Sequence, residues 1–129
     1  MIMTEQTKIK FIWDNISYEN PLLVQKYFEK HIQAFIEFMI TKTLEKGHLE
    51  VGTYQDGWQK GAAIRFFENE DDKKLELRLK KNNSFEILLS IKRADEKEQV
   101  VRHKLSQEEA QLIPQHFVEL MQNAKEVLN

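Results

Sequence analysis

The chain contains no cysteine. That single absence removes disulfide scaffolds, thiolate zinc sites and cysteine nucleophiles, and it fits a reducing compartment. Proline and glycine are scarce, with two and four residues in 129, and no linker, internal repeat or low-complexity tract is visible. A dominant charge is also missing: 19 basic against 21 acidic side chains leave a net charge of −2, too little positive charge to announce nucleic acid by itself. Long apolar runs are absent too. The most apolar stretch, Ala34-Phe-Ile-Glu-Phe-Met-Ile40, carries Glu37 and falls far short of the ~20 residues that span a bilayer. The opening residues show no basic region followed by an apolar one, so no membrane association and a cytoplasmic location are expected.

What is present describes a folded domain. Hydrophobic residues make up 41% and charged residues 31%, a balance that excludes a disordered chain. The length suits one domain over 1–129, large enough to bury roughly two-thirds of its unfolded surface without a metal or disulfide staple.

The chain reads as helix, meander, helix. Residues 8–13 suit a short first strand. Asn20 then offers an N-cap, Pro21 fits the first helical position, and Gly47 sits where a left-handed residue ends a helix. The interval between them predicts one long helix. Its apolar residues, from Val24 to Met39, cover an arc of about 200°, roughly twice what a helix lying on a sheet requires.

From Leu49 to Leu105 the apolar period changes to two. Asp56-Gly57 and Asn82-Asn83 read as hairpin turns, and 68–72 and 94–97 as polar connections. Strands are expected near 49–55, 59–67, 73–81, 84–93 and 98–105, in an antiparallel meander. Leu75, Leu77 and Leu79 share one face with Phe85, Ile87, Leu89 and Ile91. Ser106 with Glu109 forms a capping box that opens a second helix through about Leu128, which Pro114 is expected to kink or to divide into 107–112 and 114–128. Its stripe comprises Ile113, Phe117, Leu120, Met121, Ala124, Val127 and Leu128. The expected fold is α+β: a two-layer domain with a five- to six-stranded antiparallel meander and both helices on one face.

Catalytic signals are weak. The glycines, all between 47 and 61, match no phosphate loop; a cap, a turn, and bulges or close approaches at Gly52 and Gly61 account for them. His31 and His103 point inward but lie in no metal-ligand spacing, and no carboxylate shares their expected face. They read as hydrogen-bonded core or rim residues. The run Glu68, Glu70, Asp71, Asp72 lacks the spacing of a calcium loop. No serine sits in a nucleophile elbow. No catalytic residue, metal or cofactor is assigned.

Two surfaces remain. The sheet face opposite the apolar one carries Arg65, Lys74, Arg78, Lys80, Lys92, Arg102 and Lys104 against Glu76, Glu86 and Glu98, with Tyr54 and Phe67 able to stack on bases. Tyr54, Arg65, Phe67, Arg78, Lys80, Lys92, Arg102 and Lys104 are therefore the candidate contacts for single-stranded nucleic acid. In this basic face, and in a final strand leading into Leu105-Ser-Gln-Glu-Glu109 and an amphipathic helix, the last 50 residues resemble the positive-cofactor-like single-stranded-DNA-binding domains. The long first helix and extra strand depart from that pattern. An ordinary solvated face, with lysines discouraging edge pairing, explains the same charges.

The wide first helix is the other surface. Tyr27, Ala34 and Phe38 lie on one border of its apolar arc, where a protein partner, most simply a second copy in a homodimer, would bury them. A cavity for a small apolar ligand between helix and sheet is a further alternative. The reading favoured by the sequence is a non-enzymatic interaction domain that self-associates through the first helix.

Overall fold

The computed structural model describes residues 21–46, 50–68, 73–91 and 98–127. The chain divides into two compact units, Met1–His48 and Leu49–Asn129.

In the first unit, helix α1 spans Pro21–Lys30 and α2 spans Ile32–Lys46. Pro21 takes the first helical position as expected. The single long helix expected over this stretch is instead divided at one residue, His31. The hydrogen-bond ladder still runs through it: the His31 N–H donates to Tyr27 O and Phe28 O, at 3.1 and 3.2 Å, and the Phe35 N–H donates to His31 O at 3.2 Å. A shared N–H of this kind tightens one turn without ending the helix. Val24, Phe28, Ile32, Phe35, Ile36, Phe38 and Met39 are buried, and the Phe28 and Phe35 rings sit 5.1 Å apart. Gln25 donates to Glu29 at 2.7 Å across one helical turn. The expected caps at Asn20 and Gly47, like the expected strand at 8–13, lie outside the described residues.

The second unit is a five-stranded antiparallel sheet, β1 (Glu50–Asp56), β2 (Gln59–Glu68), β3 (Lys73–Lys80), β4 (Phe85–Ile91) and β5 (Gln99–Lys104), in sequential order. Every strand lies within two residues of its expected bounds. The meander follows from short turns between strands of alternating polarity. One expectation shifts by a residue. Asp56 pairs with Gln59, so the β1–β2 turn is Gly57-Trp58 rather than Asp56-Gly57. Gly57 has φ 61°, and a glycine with positive φ in the first central position is the II′ arrangement. At the β3–β4 turn Asn83 has φ 67°, and the Asn82 side chain accepts hydrogen bonds from the Ser84 N–H and hydroxyl at 3.1 and 2.6 Å.

One face carries the core. Ala62, Ile64 and Phe66 of β2 pair with Leu79, Leu77 and Leu75 of β3, which pair onward with Phe85, Ile87 and Leu89 of β4. Apart from half-buried Phe85 these residues are buried. A short helix α3 (Gln107–Ala110) and the longer α4 (Gln115–Val127) follow the sheet. Ser106 and Glu109 form the expected reciprocal capping box. Pro114 falls between the helices, where its missing N–H disrupts no ladder. α4 packs across β2 and β1 and reaches β3, with the Phe117 ring 6.4 Å from Phe66. Burying a side chain such as Phe117 contributes about 1.5–3 kcal/mol. Ile113 and Met121 continue the buried stripe, but Val127 is 85% exposed and ends it earlier than expected. Lys125 near the end of α4 donates to Lys81 O and Asn83 Oδ1, at 3.0 and 2.8 Å, fastening the helix to the β3–β4 turn. No described helix is long and apolar enough to cross a membrane.

Candidate functional site

The register places Tyr54, Arg65, Glu76, Arg78, Lys80, Glu86 and Arg102 on the sheet face opposite Ile64 and Leu77. The sequence predicts a solvated face here. Instead Tyr54, Ala63, Glu76, Glu86, Leu88 and Ser90 are buried, with Glu76 only 1% exposed.

Glu76 stands at the centre. Its Oε2 accepts from Arg65 Nε at 2.6 Å, and its Oε1 accepts from Arg78 Nε. Arg65 reaches onward to Thr53 O at 2.6 Å, crossing β1 where Gly52 leaves room: a Cβ there would lie 2.8 Å from the guanidinium. Arg78 lies over the Tyr54 ring, 4.3 Å from its centroid. Tyr54 in turn covers Gly61, its cross-strand partner. Lys80 pairs with Glu86 at 3.2 Å.

The decisive contact joins the two edge strands. Arg102 Nη2 of β5 donates to Asp56 Oδ2 of β1 at 2.7 Å. Four strand spacings of about 4.8 Å separate those strands in a flat sheet, more than the two side chains can bridge. The sheet therefore coils along this diagonal, as right-handed twist accumulated over five strands allows. Coiling brings the Asp56 end of the β1–β2 hairpin to Arg102 and Arg78 on the charged face. Four cations (Arg65, Arg78, Lys80, Arg102) meet three carboxylates (Asp56, Glu76, Glu86). Glu76 and Glu86 were already set against the cations by strand parity; the network adds Asp56 to them and keeps an excess of one positive charge, with Lys74 and Lys104 of the same face outside it.

The electrostatics follow this layout. The Arg102 guanidinium, by hydrogen bond and charge, holds the Asp56 carboxyl below its ordinary range. Burial pushes the Tyr54 hydroxyl up; Arg78 opposes the shift, while Glu86, Asp56 and Glu76 add to it. Tyr54 Oη and Glu86 Oε1 are buried with no hydrogen-bond partner among the described residues.

Of the other nominated contacts, Lys104 lies beside this network, exposed on β5 and opposite Glu86 in the β4–β5 ladder. Phe67 lies in β2 opposite Lys74, its side chain outside the described set, and Lys92 falls outside the described residues. Tyr54, nominated to stack on a base, is only 6% exposed, with the Arg78 guanidinium over its ring.

On the helices, the three border residues separate. Phe38 is only 5% exposed, with Lys42 Nζ 5.5 Å from its ring centroid, whereas Tyr27 and Ala34 are half-buried. Leu23, which the sequence reading passed over, is 61% exposed. At 100° per residue Leu23, Tyr27, Ala34 and Phe38 fall within an arc of about 60°. The Tyr27 ring also stacks on His31, with centroids 4.5 Å apart.

His103 overturns the expectation that no carboxylate shares its surroundings. Its Nε2 lies 3.0 Å from both oxygens of Glu109, whose capping-box role hid this second contact. Burial tends to raise the Glu109 pKa, but the Ser106 N–H and His103 outweigh it and leave the pKa lowered. Among the described residues, no group of three histidine, aspartate or glutamate side chains is placed to hold a metal ion. Asp56, read from the sequence only as a turn former, joins the charged network through Arg102 and Arg78.

Comparison with known proteins finds no family model, curated protein or solved structure that matches this chain.

Proposed function

We propose that this protein is a non-enzymatic interaction domain that self-associates through the apolar strip of its first unit. The observation that carries the reading is the exposure of Leu23 at 61%, in line with half-buried Tyr27 and Ala34. A leucine and a tyrosine aligned on consecutive turns form the kind of apolar strip that a two-fold partner buries, each copy presenting the same residues. The accessible part of this strip lies towards Leu23, so Phe38 supports it from within rather than forming the contact. The charged sheet face competes less well as a nucleic-acid surface, because its arginines already hold carboxylates and Tyr54 is covered.

Size-exclusion chromatography with light scattering tests the reading. The wild-type chain is expected to run as a dimer at micromolar concentration. Leu23→Glu should give a folded monomer, since it places a charge in a desolvated contact. A folded wild-type monomer at high micromolar concentration refutes self-association.

A further inference from the structure

Two arginines from non-adjacent strands converge on one oxygen. Arg102 Nη2 and Arg78 Nη1 lie 2.7 and 3.9 Å from Asp56 Oδ2. Arg78 is oriented by Glu76 at its Nε and by the Tyr54 ring beneath it, and the Arg102 Nη1 lies within ion-pair distance of Glu86 Oε1, at 3.8 Å. Guanidinium groups held in this way and aimed at one oxygen are how proteins recognise carboxylate and phosphate anions. Here the chain supplies the anion itself, from the tip of a two-residue hairpin. The Asp56 and Arg102 side chains are 44% and 46% exposed, so this ion pair competes with water and is weakly held.

We propose that Arg78 and Arg102 form a binding site for a phosphate-bearing anion, and that Asp56 occupies it in the free protein as an intramolecular stand-in. Within this network of described residues, departure of Asp56 leaves Arg65, Arg78, Lys80 and Arg102 with Glu76 and Glu86. The local excess then rises from one positive charge to two, matching a doubly charged phosphate better than a single carboxylate does. Displacement also frees the tip that carries Trp58, which is fully exposed two residues along. This site is independent of the helix strip, and either proposal survives failure of the other.

The test is a titration with inorganic pyrophosphate at constant ionic strength, read from the indole N–H resonance of Trp58 and the backbone signals of β5. Wild type should bind weakly. Asp56→Asn, which keeps the side-chain shape but removes the competing charge, should bind roughly three- to tenfold tighter. Arg102→Gln should abolish binding in both backgrounds while leaving the fold's thermal transition in place. The proposal is overturned if Asp56→Asn binds no tighter than wild type, or if Arg102→Gln binds unchanged. A parallel titration with a short oligothymidylate separates two sources of phosphate. Tighter binding of the oligonucleotide, still lost with Arg102→Gln, assigns the site to a nucleic-acid backbone. Binding of pyrophosphate alone assigns it to small anions. If Asp56→Asn binds neither, no anion site exists there.

Discussion

Replacing Glu76 by glutamine keeps the shape of the side chain and removes its charge, which isolates what the central carboxylate does. Glu76 is 1% exposed and bridges two guanidinium groups. After the change, Arg65 and Arg78 lose their shared counter-charge, and one of them must face an amide NH2 instead of an oxygen. Truncating one partner of a buried ion pair costs about 3–5 kcal/mol. The Arg65 and Arg78 side chains retain 18% and 14% of their exposure and regain some hydration, so the expected loss is about 2–4 kcal/mol. For a chain of this size that corresponds to a fall in Tm on the order of 10 °C, measured by circular dichroism. Because the pair is buried, 1 M salt should change the difference little. Replacing all three side chains by apolar ones of similar volume should recover much of the loss, since no charge is then stranded. A Glu76→Gln protein melting within about 2 °C of wild type, or a deficit that vanishes in high salt, would refute the argument that this face is a buried network.

Three further expectations rest on separate contacts. Gly61→Ala should lower stability by about 1–3 kcal/mol in a urea titration, because a Cβ there would lie 2.5 Å from Leu79 O and 2.6 Å from the Tyr54 ring; a neutral result would mean that Tyr54 moves aside freely. Glu109 has a lowered pKa in the fold, so its contribution is fully present above the ordinary glutamate value of 4.5 and is lost as pH falls through the lowered value; wild type and Glu109→Gln should converge in melting temperature on acidification, and parallel curves would exclude the linkage. Phe38→Glu should unfold the protein or depress Tm sharply, since the ring is 5% exposed and a buried unpaired charge is costly; a stable, monomeric Phe38→Glu protein would instead return Phe38 to the interface.

The sheet was legible because its signals are local. Alternation in Leu75–Leu79 and Phe85–Leu89, with turn residues at Gly57 and Asn83, determines strand parity and order without reference to anything distant. The capping box at Ser106 was legible for the same reason: both partners lie within four residues. The first helix was legible in extent but not in its break, because His31 is an acceptable helical residue and only the doubled acceptor at Tyr27 and Phe28 marks the tightening. The one-residue displacement of the β1–β2 turn was not legible. Asp56 and Gly57 are both good turn residues, and local sequence does not show that Asp56 pairs with Gln59 in the ladder and meets Arg102, 46 positions away.

That same contact shows what strand parity leaves out of the candidate nucleic-acid face. Strand parity states which side of the pleat a residue occupies; it carries no information on whether that side is flat, convex or concave. Twist accumulates over five strands, and the result depends on what the corners of the sheet can grip. Here one corner offers a carboxylate and the opposite corner a guanidinium, and their contact adds Asp56 to pairs that adjacent strands already form, Arg65–Glu76–Arg78 and Lys80–Glu86. Lysines and arginines counted from sequence are thus an upper bound on the positive charge a sheet face presents. The carboxylates of the same parity must be subtracted first, together with any turn carboxylate that coiling brings over the face. Asp56 belongs to that second group. Its removal therefore distinguishes a face whose small positive excess is set by its strands from one whose excess is held down by its own hairpin.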